Sequence, residues 1–131
     1  MSSQALKPVH TAQAPKALGP YSQAIVVNGQ VYTSGQLGIA AATGEFVGPD
    51  VESQTRQVLV NLGHVLKEAH SGLDKVIKTT VFLKDMNDFV AMNKIYEEMF
   101  AGHRPARSAV EVARLPKDAV VEMECIALVD A

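Results

Sequence analysis

Residues 104–124 read RPARSAVEVARLPKDAVVEME, and the residues that follow continue the pattern to Val129. Two runs rich in strand-forming residues, 107–115 and 119–129, stand either side of a short polar turn. Side chains alternate across a strand, so Val121, Met123, Cys125, Ala127 and Val129 share one apolar face. The opposite face carries Val120, Glu122, Glu124, Ile126 and Leu128. It is aliphatic, like a core, yet it holds two carboxylates, like a surface.

The elements around this pair explain what such a face could meet. Residues 1–8 are small, polar and closed by proline, and read as a loose segment. In PYSQAIVVNGQVYTSGQ, residues 20–36, two β-rich runs flank Asn28-Gly29, whose residue types suit the positive φ angles of a type I′ hairpin turn. Residues 40–50 form a loop that ends in Asp50, a helix N-cap. Val51, Thr55, Val58, Leu59, Leu62, Val65, Leu66 and Ala69 recur at spacings of three and four and predict a helix over 51–70. A strand over 75–84 follows. Asp85 is then placed to cap a second helix over 86–100, with Phe89, Asn93, Tyr96 and Phe100 turned inward.

The order is β-β-α-β-α-β-β in one domain spanning 1–131, with 107–115 and 119–129 closing the chain as a hairpin. Short β-turn-β pieces at both ends imply an α+β fold, an antiparallel or mixed sheet with both helices on one face. The face holding Glu122 and Glu124 is then left uncovered. An aliphatic face of this kind marks an interaction surface, and sheet-against-sheet packing in a homo-oligomer would put both carboxylates at a subunit seam.

Composition narrows the function. Twelve Lys and Arg against 14 Asp and Glu give a net charge of −2 with no basic run, which argues against a nucleic-acid partner. No apolar stretch approaches the roughly 18 residues of a membrane helix. The single Cys125 lies in a strand pattern and suits a reducing compartment. The cytosol is the expected location, with mitochondrial entry the alternative because residues 1–44 lack Asp and Glu. His10, His64, His70 and His103 show no ligand spacing, so no metal is expected, and no phosphate-binding glycine motif or nucleophile elbow is present.

What remains is a set of polar residues in apolar settings. Arg107 opens a strand after Pro105-Ala106 and has two readings: a surface residue paired with Glu111 or Glu122, or a bidentate clamp for a substrate carboxylate. Glu122 and Glu124 read either as seam ion pairs or as a general base. Asn93, within an apolar stripe, serves either the backbone or a site. Tyr21 is a core aromatic or a pocket wall, and Gly35 is a bend or a place where a ligand nears the backbone.

The motifs carry more than these residues do singly. GPYSQA at 19–24, YTSGQLG at 32–38, KTTVFLKDMNDFVAMN at 78–93 and PARSAVEVARLPKDAVVEME at 105–124 resemble the RidA (YjgF) family, also known as liver perchloric-acid-soluble proteins. The likeness runs from about residue 8 to 129 with the motifs in the family's order. It implies a chorismate-mutase-like fold assembled as a homotrimer, the sheets packed into a central barrel and ligand clefts between subunits. It further implies cofactor-free hydrolysis of 2-aminoacrylate- and 2-iminopropanoate-type enamines and imines to 2-keto acids and ammonia. By matching position, Arg107 would hold the substrate carboxylate and Glu122 would orient or deprotonate the attacking water. Gly35 and the backbone at Ala109 would contact the substrate from opposite sides, Tyr21 would form a wall, and Asn93 would support the arginine loop.

The chain departs from the family's pattern in three places. Ala109 stands where many bacterial relatives carry cysteine, the segment FAGHRPAR is short, and Arg104 fills a position that is often apolar or aromatic. Two further readings compete with a deaminase. One is an endoribonuclease or translation inhibitor, activities ascribed to relatives. The other is a non-catalytic module for small keto acids, which would keep Arg107 without needing Glu122.

Overall fold

The first long helix starts where Asp50 can cap it. In the computed structural model, which describes residues 5–130, Asp50 Oδ2 accepts the Ser53 N–H at 2.8 Å. That bond and the Ser53 hydroxyl hold the Asp50 carboxyl below its usual range. The helix, α1, spans Val51–Glu68. It ends two residues before the expected boundary, because His70 turns into the left-handed region at φ 61°. Every member of its predicted stripe is buried, and so are Gln54 and Asn61, which the apolar pattern did not include.

Strands β1 (Lys7–Val9), β2 (Ala24–Val27), β3 (Gln30–Thr33), β4 (Gln36–Leu37), β5 (Val76–Leu83), β6 (Ala106–Glu111) and β7 (Val121–Leu128) form one sheet. Lys7 and Pro8, read as loose, instead pair with β2; residues 1–4 lie outside the described ones. Asn28 and Gly29 take φ 58° and 76° and join β2 to β3 as an antiparallel hairpin, as expected. The strand order is β1-β2-β3-β7-β5-β6, with β4 also on β7.

That order corrects the closing hairpin. β6 does not pair with β7; it runs parallel to β5, and β5 lies between them. The reason is the second helix, α2 (Phe89–Phe100), which carries the chain from β5 back to β6 as the crossover that a parallel pair requires. β6 is shorter than the predicted strand and forms an edge of the sheet. Asp85 caps only a single 3₁₀ turn, accepting the Asn87 N–H at 2.9 Å, before α2 begins at Phe89.

Both helices cover one face, so the architecture is α+β. Val121, Met123, Cys125 and Ala127 are buried beneath them with Val31, Val81 and Leu83. On α2 the buried residues are Met92, Ile95, Tyr96 and Phe100, while Phe89 and Asn93 are only half-buried. The stripe is rotated from the predicted one, and this places Asn93 at the helix edge. Across the sheet, register puts Tyr32 opposite Ile126, Thr80 opposite Glu124 and Phe82 opposite Glu122, all on the uncovered face. Val120 leaves that face: it precedes β7, packs against the core and donates its N–H to Gln54 Oε1 at 3.1 Å. No helix among the described residues is long and apolar enough to cross a membrane.

Candidate functional site

Arg107 owes its setting to the parallel pair. Register places it opposite Thr79 of β5, a fully buried residue, so it projects on the helix-covered side near the sheet edge. There Arg107 Nη1 donates to Asn93 Oδ1 at 2.5 Å. The guanidinium carbon sits 4.7 Å from the Tyr96 ring centroid and 5.3 Å from that of Phe89. Such cation–π contacts hold a guanidinium plane in place. Tyr96 is itself fixed, its hydroxyl 2.7 Å from Thr79 Oγ1, and burial pushes its pKa up, so the phenol stays neutral. The guanidinium keeps further N–H donors for a ligand. Neither Glu111 nor Glu122 is its partner: Glu111 accepts the Met86 N–H at 2.7 Å, and Glu122 lies elsewhere.

A pocket of about 460 Å³ opens beside this arginine, lined by Asn93, Tyr96, His103 and Arg104 among others. Its loop turns at Ala101 (φ 51°) and Gly102 (φ 97°). His103 anchors it, with Nε2 2.7 Å from the Val76 carbonyl oxygen. Ala109 pairs with Val81 two positions along β6. Because β6 is an edge strand, backbone groups on its outer side have no strand partner among the described residues.

Glu122 occupies the other face. It lies between Leu37 of β4 and Phe82 of β5, offset by an odd number of positions on β5 from the residue facing Arg107. Alternation therefore sends the two side chains to opposite sides of the sheet. Glu122 is half-buried, and burial first, then the neighbouring Glu124, raises its carboxyl above the usual range. Glu124 is exposed. Gly35 makes room for the Glu122 carboxylate: a Cβ there would lie 2.8 Å from Glu122 Cδ and 3.0 Å from Cγ, with Oε2 nearer still.

Around Glu122 is a pocket of about 630 Å³ whose walls include Tyr21, Ser34, Gly35, Lys117 and Leu18. Tyr21 is 52% exposed, a wall rather than a core aromatic. Gln23, missed in the sequence, shapes this pocket from beneath. Its Oε1 accepts the Thr11 N–H at 2.6 Å and its Nε2 donates to the Pro15 carbonyl at 2.8 Å. Asn61, also missed, donates to the carbonyls of Leu37 and Ile39 at 3.0 and 2.9 Å and ties that wall to α1.

The candidates thus separate into two groups. Arg107 and Asn93 meet at one pocket, and Tyr21, Gly35 and Glu122 meet at another. One chain does not bring the clamp and the carboxylate together.

The family model described as Endoribonuclease L-PSP matches residues 11–129. A RutC family protein of Synechocystis is 54% identical over 125 residues, 94% of this chain and 96% of the relative. The 2-iminobutanoate/2-iminopropanoate deaminase of Homo sapiens is 44% identical over 128 residues, 98% of this chain and 93% of its own. Among solved structures, E. coli TdcF with bound serine superposes with a TM-score of 0.90 at 41% identity, covering 95% of this chain and 99% of that one. The resemblance carried by the motifs is thereby shown over nearly the whole length, and the chain belongs to the RidA (YjgF) family, matched under the description Endoribonuclease L-PSP.

Proposed function

We propose that the protein is a hydrolytic deaminase of small 2-imino acids and their enamine tautomers, working in clefts between the subunits of a homotrimer. The observation that carries this reading is the division of the site. A preset arginine clamp and a carboxylate of raised pKa stand in separate pockets on opposite faces of one sheet. They converge only if the uncovered face of one copy meets the β6 edge of the next. A cyclic head-to-tail assembly makes such a contact at each interface, and a relative named as an imine deaminase supports the chemistry.

In that cleft Arg107 pairs with the substrate carboxylate, while Asn93 and Tyr96 hold its fork in orientation. Water, positioned by Glu122, attacks the imine carbon and loses a proton to the carboxylate. The C=N electron pair moves to nitrogen, which takes that proton from Glu122. The carbinolamine hydroxyl then gives its proton to the Glu122 carboxylate as C=O re-forms, the C–N bond breaks, and ammonia leaves with the proton that Glu122 returns. An enamine first takes a proton on carbon to enter as the imine. The imine carbon is already electrophilic, so orientation, a proton acceptor and a countercharge suffice. A carboxylate raised by burial is a stronger base than an ordinary one. Gly35 and the backbone at Ala109 flank the substrate, and Tyr21 closes the pocket wall.

The test is loss of 2-iminopropanoate, generated in situ by an amino-acid oxidase, with wild type, Arg107→Ala and Glu122→Gln. Acceleration by wild type that both substitutions remove supports the reading. A wild-type rate equal to the uncatalysed one refutes it. The family description raises RNA cleavage as a second reading. It predicts RNA binding that weakens steeply with salt as phosphate contacts are lost.

A further inference from the structure

Each half of the site carries a cation that binding one carboxylate does not use. We infer that the assembled cleft prefers imino acids whose side chain ends in a second carboxylate, with Arg104 as the specificity-determining residue. This rests on the deaminase reading of the same site and names its substrate class.

Arg107 is committed: Asn93 holds it and two aromatic rings cover it. Arg104 lines the same pocket and is not committed. Its side chain is 85% exposed, and its one ion pair among the described residues, Nη2 to Glu97 Oε2, is 3.6 Å long. Charge-assisted bonds that hold a side chain run to about 2.7–2.9 Å, and pairs between exposed groups hold weakly. The backbone beneath is fixed. His103 N–H donates to the Phe100 carbonyl at 3.1 Å, and its ring stands edge-on to Phe100 with centroids 6.2 Å apart and Nε2 on the Val76 carbonyl. Arg104 is therefore a weakly paired guanidinium on a rigid base, at the mouth of the pocket that holds the clamp.

The other half repeats the feature. Lys117 lines the Glu122 pocket from a loop in which it and Asp118 both take left-handed angles, φ 56° and 58°. Non-glycine residues stay in that region only where their surroundings fix them. Across both pockets Lys16, Lys117, Arg104 and Arg107 stand against Glu97 and Glu122, in a chain whose net charge is −2. A cleft with an excess of one sign favours ligands of the other. With a monocarboxylic imine Arg104 stays near Glu97. With a dicarboxylic one it turns to the second carboxylate, which takes no part in the bond changes.

The experiment compares kcat/KM for 2-iminosuccinate, made in situ by an aspartate oxidase, with that for 2-iminopropanoate, in wild type, Arg104→Ala and Arg104→Lys. The dicarboxylic-to-monocarboxylic ratio exceeds one in wild type. It falls at least tenfold in Arg104→Ala, chiefly through KM for 2-iminosuccinate, and recovers in part in Arg104→Lys. It also shrinks as ionic strength rises. A wild-type ratio below one, or a ratio that Arg104→Ala leaves unmoved while 2-iminopropanoate is still turned over, overturns the inference alone. Wild type that hydrolyses neither imine faster than background overturns the deaminase reading and this inference with it.

Discussion

Replacing Gly35 by alanine separates the position of the Glu122 carboxylate from the stability of the fold. The added Cβ would sit 2.8 Å from Glu122 Cδ, where ordinary contact begins at 3.4 Å, so the carboxyl carbon must move by about 0.6 Å and Oε2 by more. Gly35 does not hold a positive φ, so alanine fits its backbone. The obstructing atoms are the end of a flexible side chain, and the fold yields cheaply. Catalysis does not, because a displacement near 1 Å at a positioned group lowers rate by ~10²-fold, equivalent to about 2.7 kcal/mol. The control is Gly38→Ala. There the new Cβ meets backbone, 2.6 Å from Gln54 Cα and 2.9 Å from Gln54 O, so β4 and α1 must part. Overpacking of that kind costs roughly 1–3 kcal/mol, or a fall in Tm of roughly 4–12 °C. The assay is 2-iminopropanoate hydrolysis beside thermal unfolding at one protein concentration. Gly35→Ala should lose kcat and keep its Tm within about 2 °C, and Gly38→Ala should lose Tm. Gly35→Ala with wild-type turnover would refute the placement of Glu122 in the reaction.

Three further outcomes follow from the same geometry. Asn93→Ala removes the acceptor that orients Arg107, so KM should rise; a hydrogen bond to a charged group contributes about 1.5–3 kcal/mol to stability, so Tm, read by calorimetry, should also fall by several degrees. Glu122 has a folded-state pKa above its unfolded value, so the folded state binds the proton more tightly and stability falls as pH rises through that interval. Glu122→Gln should therefore melt above wild type at pH 7, with the gap closing below about pH 4.3, where the unfolded carboxyl is also protonated. Its turnover should drop ~10²–10⁴-fold, and the acid limb of the wild-type rate profile should lie above the ordinary carboxylate range. Thr55 Oγ1 is buried without a hydrogen-bond partner among the described residues, so Thr55→Val should stabilise the protein by about 1 kcal/mol in denaturant unfolding; a loss of stability would mean that the hydroxyl has a partner.

What could be read in the sequence was whatever depends on local periodicity. Asn28-Gly29 named its turn, the stripe from Val51 to Ala69 named its helix, and alternation from Val121 to Ala127 named the buried face of β7. Pairing was not legible, because alternation says which way a side chain points and not which strand lies alongside. Residues 107–115 and 119–129 therefore looked like a hairpin, although a helix between β5 and β6 already implied a parallel pair. The same gap hid the setting of Arg107, whose contacts come from α2, 14 residues earlier in the case of Asn93. Asn61 left a signal that could have been used: it is polar, three residues after Val58 and four before Val65, inside an apolar stripe. Gln23 left none, since its partners lie in a loop without periodicity.

A site shared between copies can be rebuilt by mixing two proteins damaged in different halves of it. Arg107→Ala and Glu122→Gln are each expected to be inactive alone. Unfolded together in equal amounts and refolded, they form mixed assemblies in which some clefts take Arg107 from one copy and Glu122 from its neighbour. Random assembly into a head-to-tail ring makes about one quarter of the clefts intact, so the mixture should recover about a quarter of wild-type imine hydrolysis. Mixed assemblies that form, by mass, and remain as inactive as either variant would mean that Arg107 and Glu122 do not act across a subunit boundary.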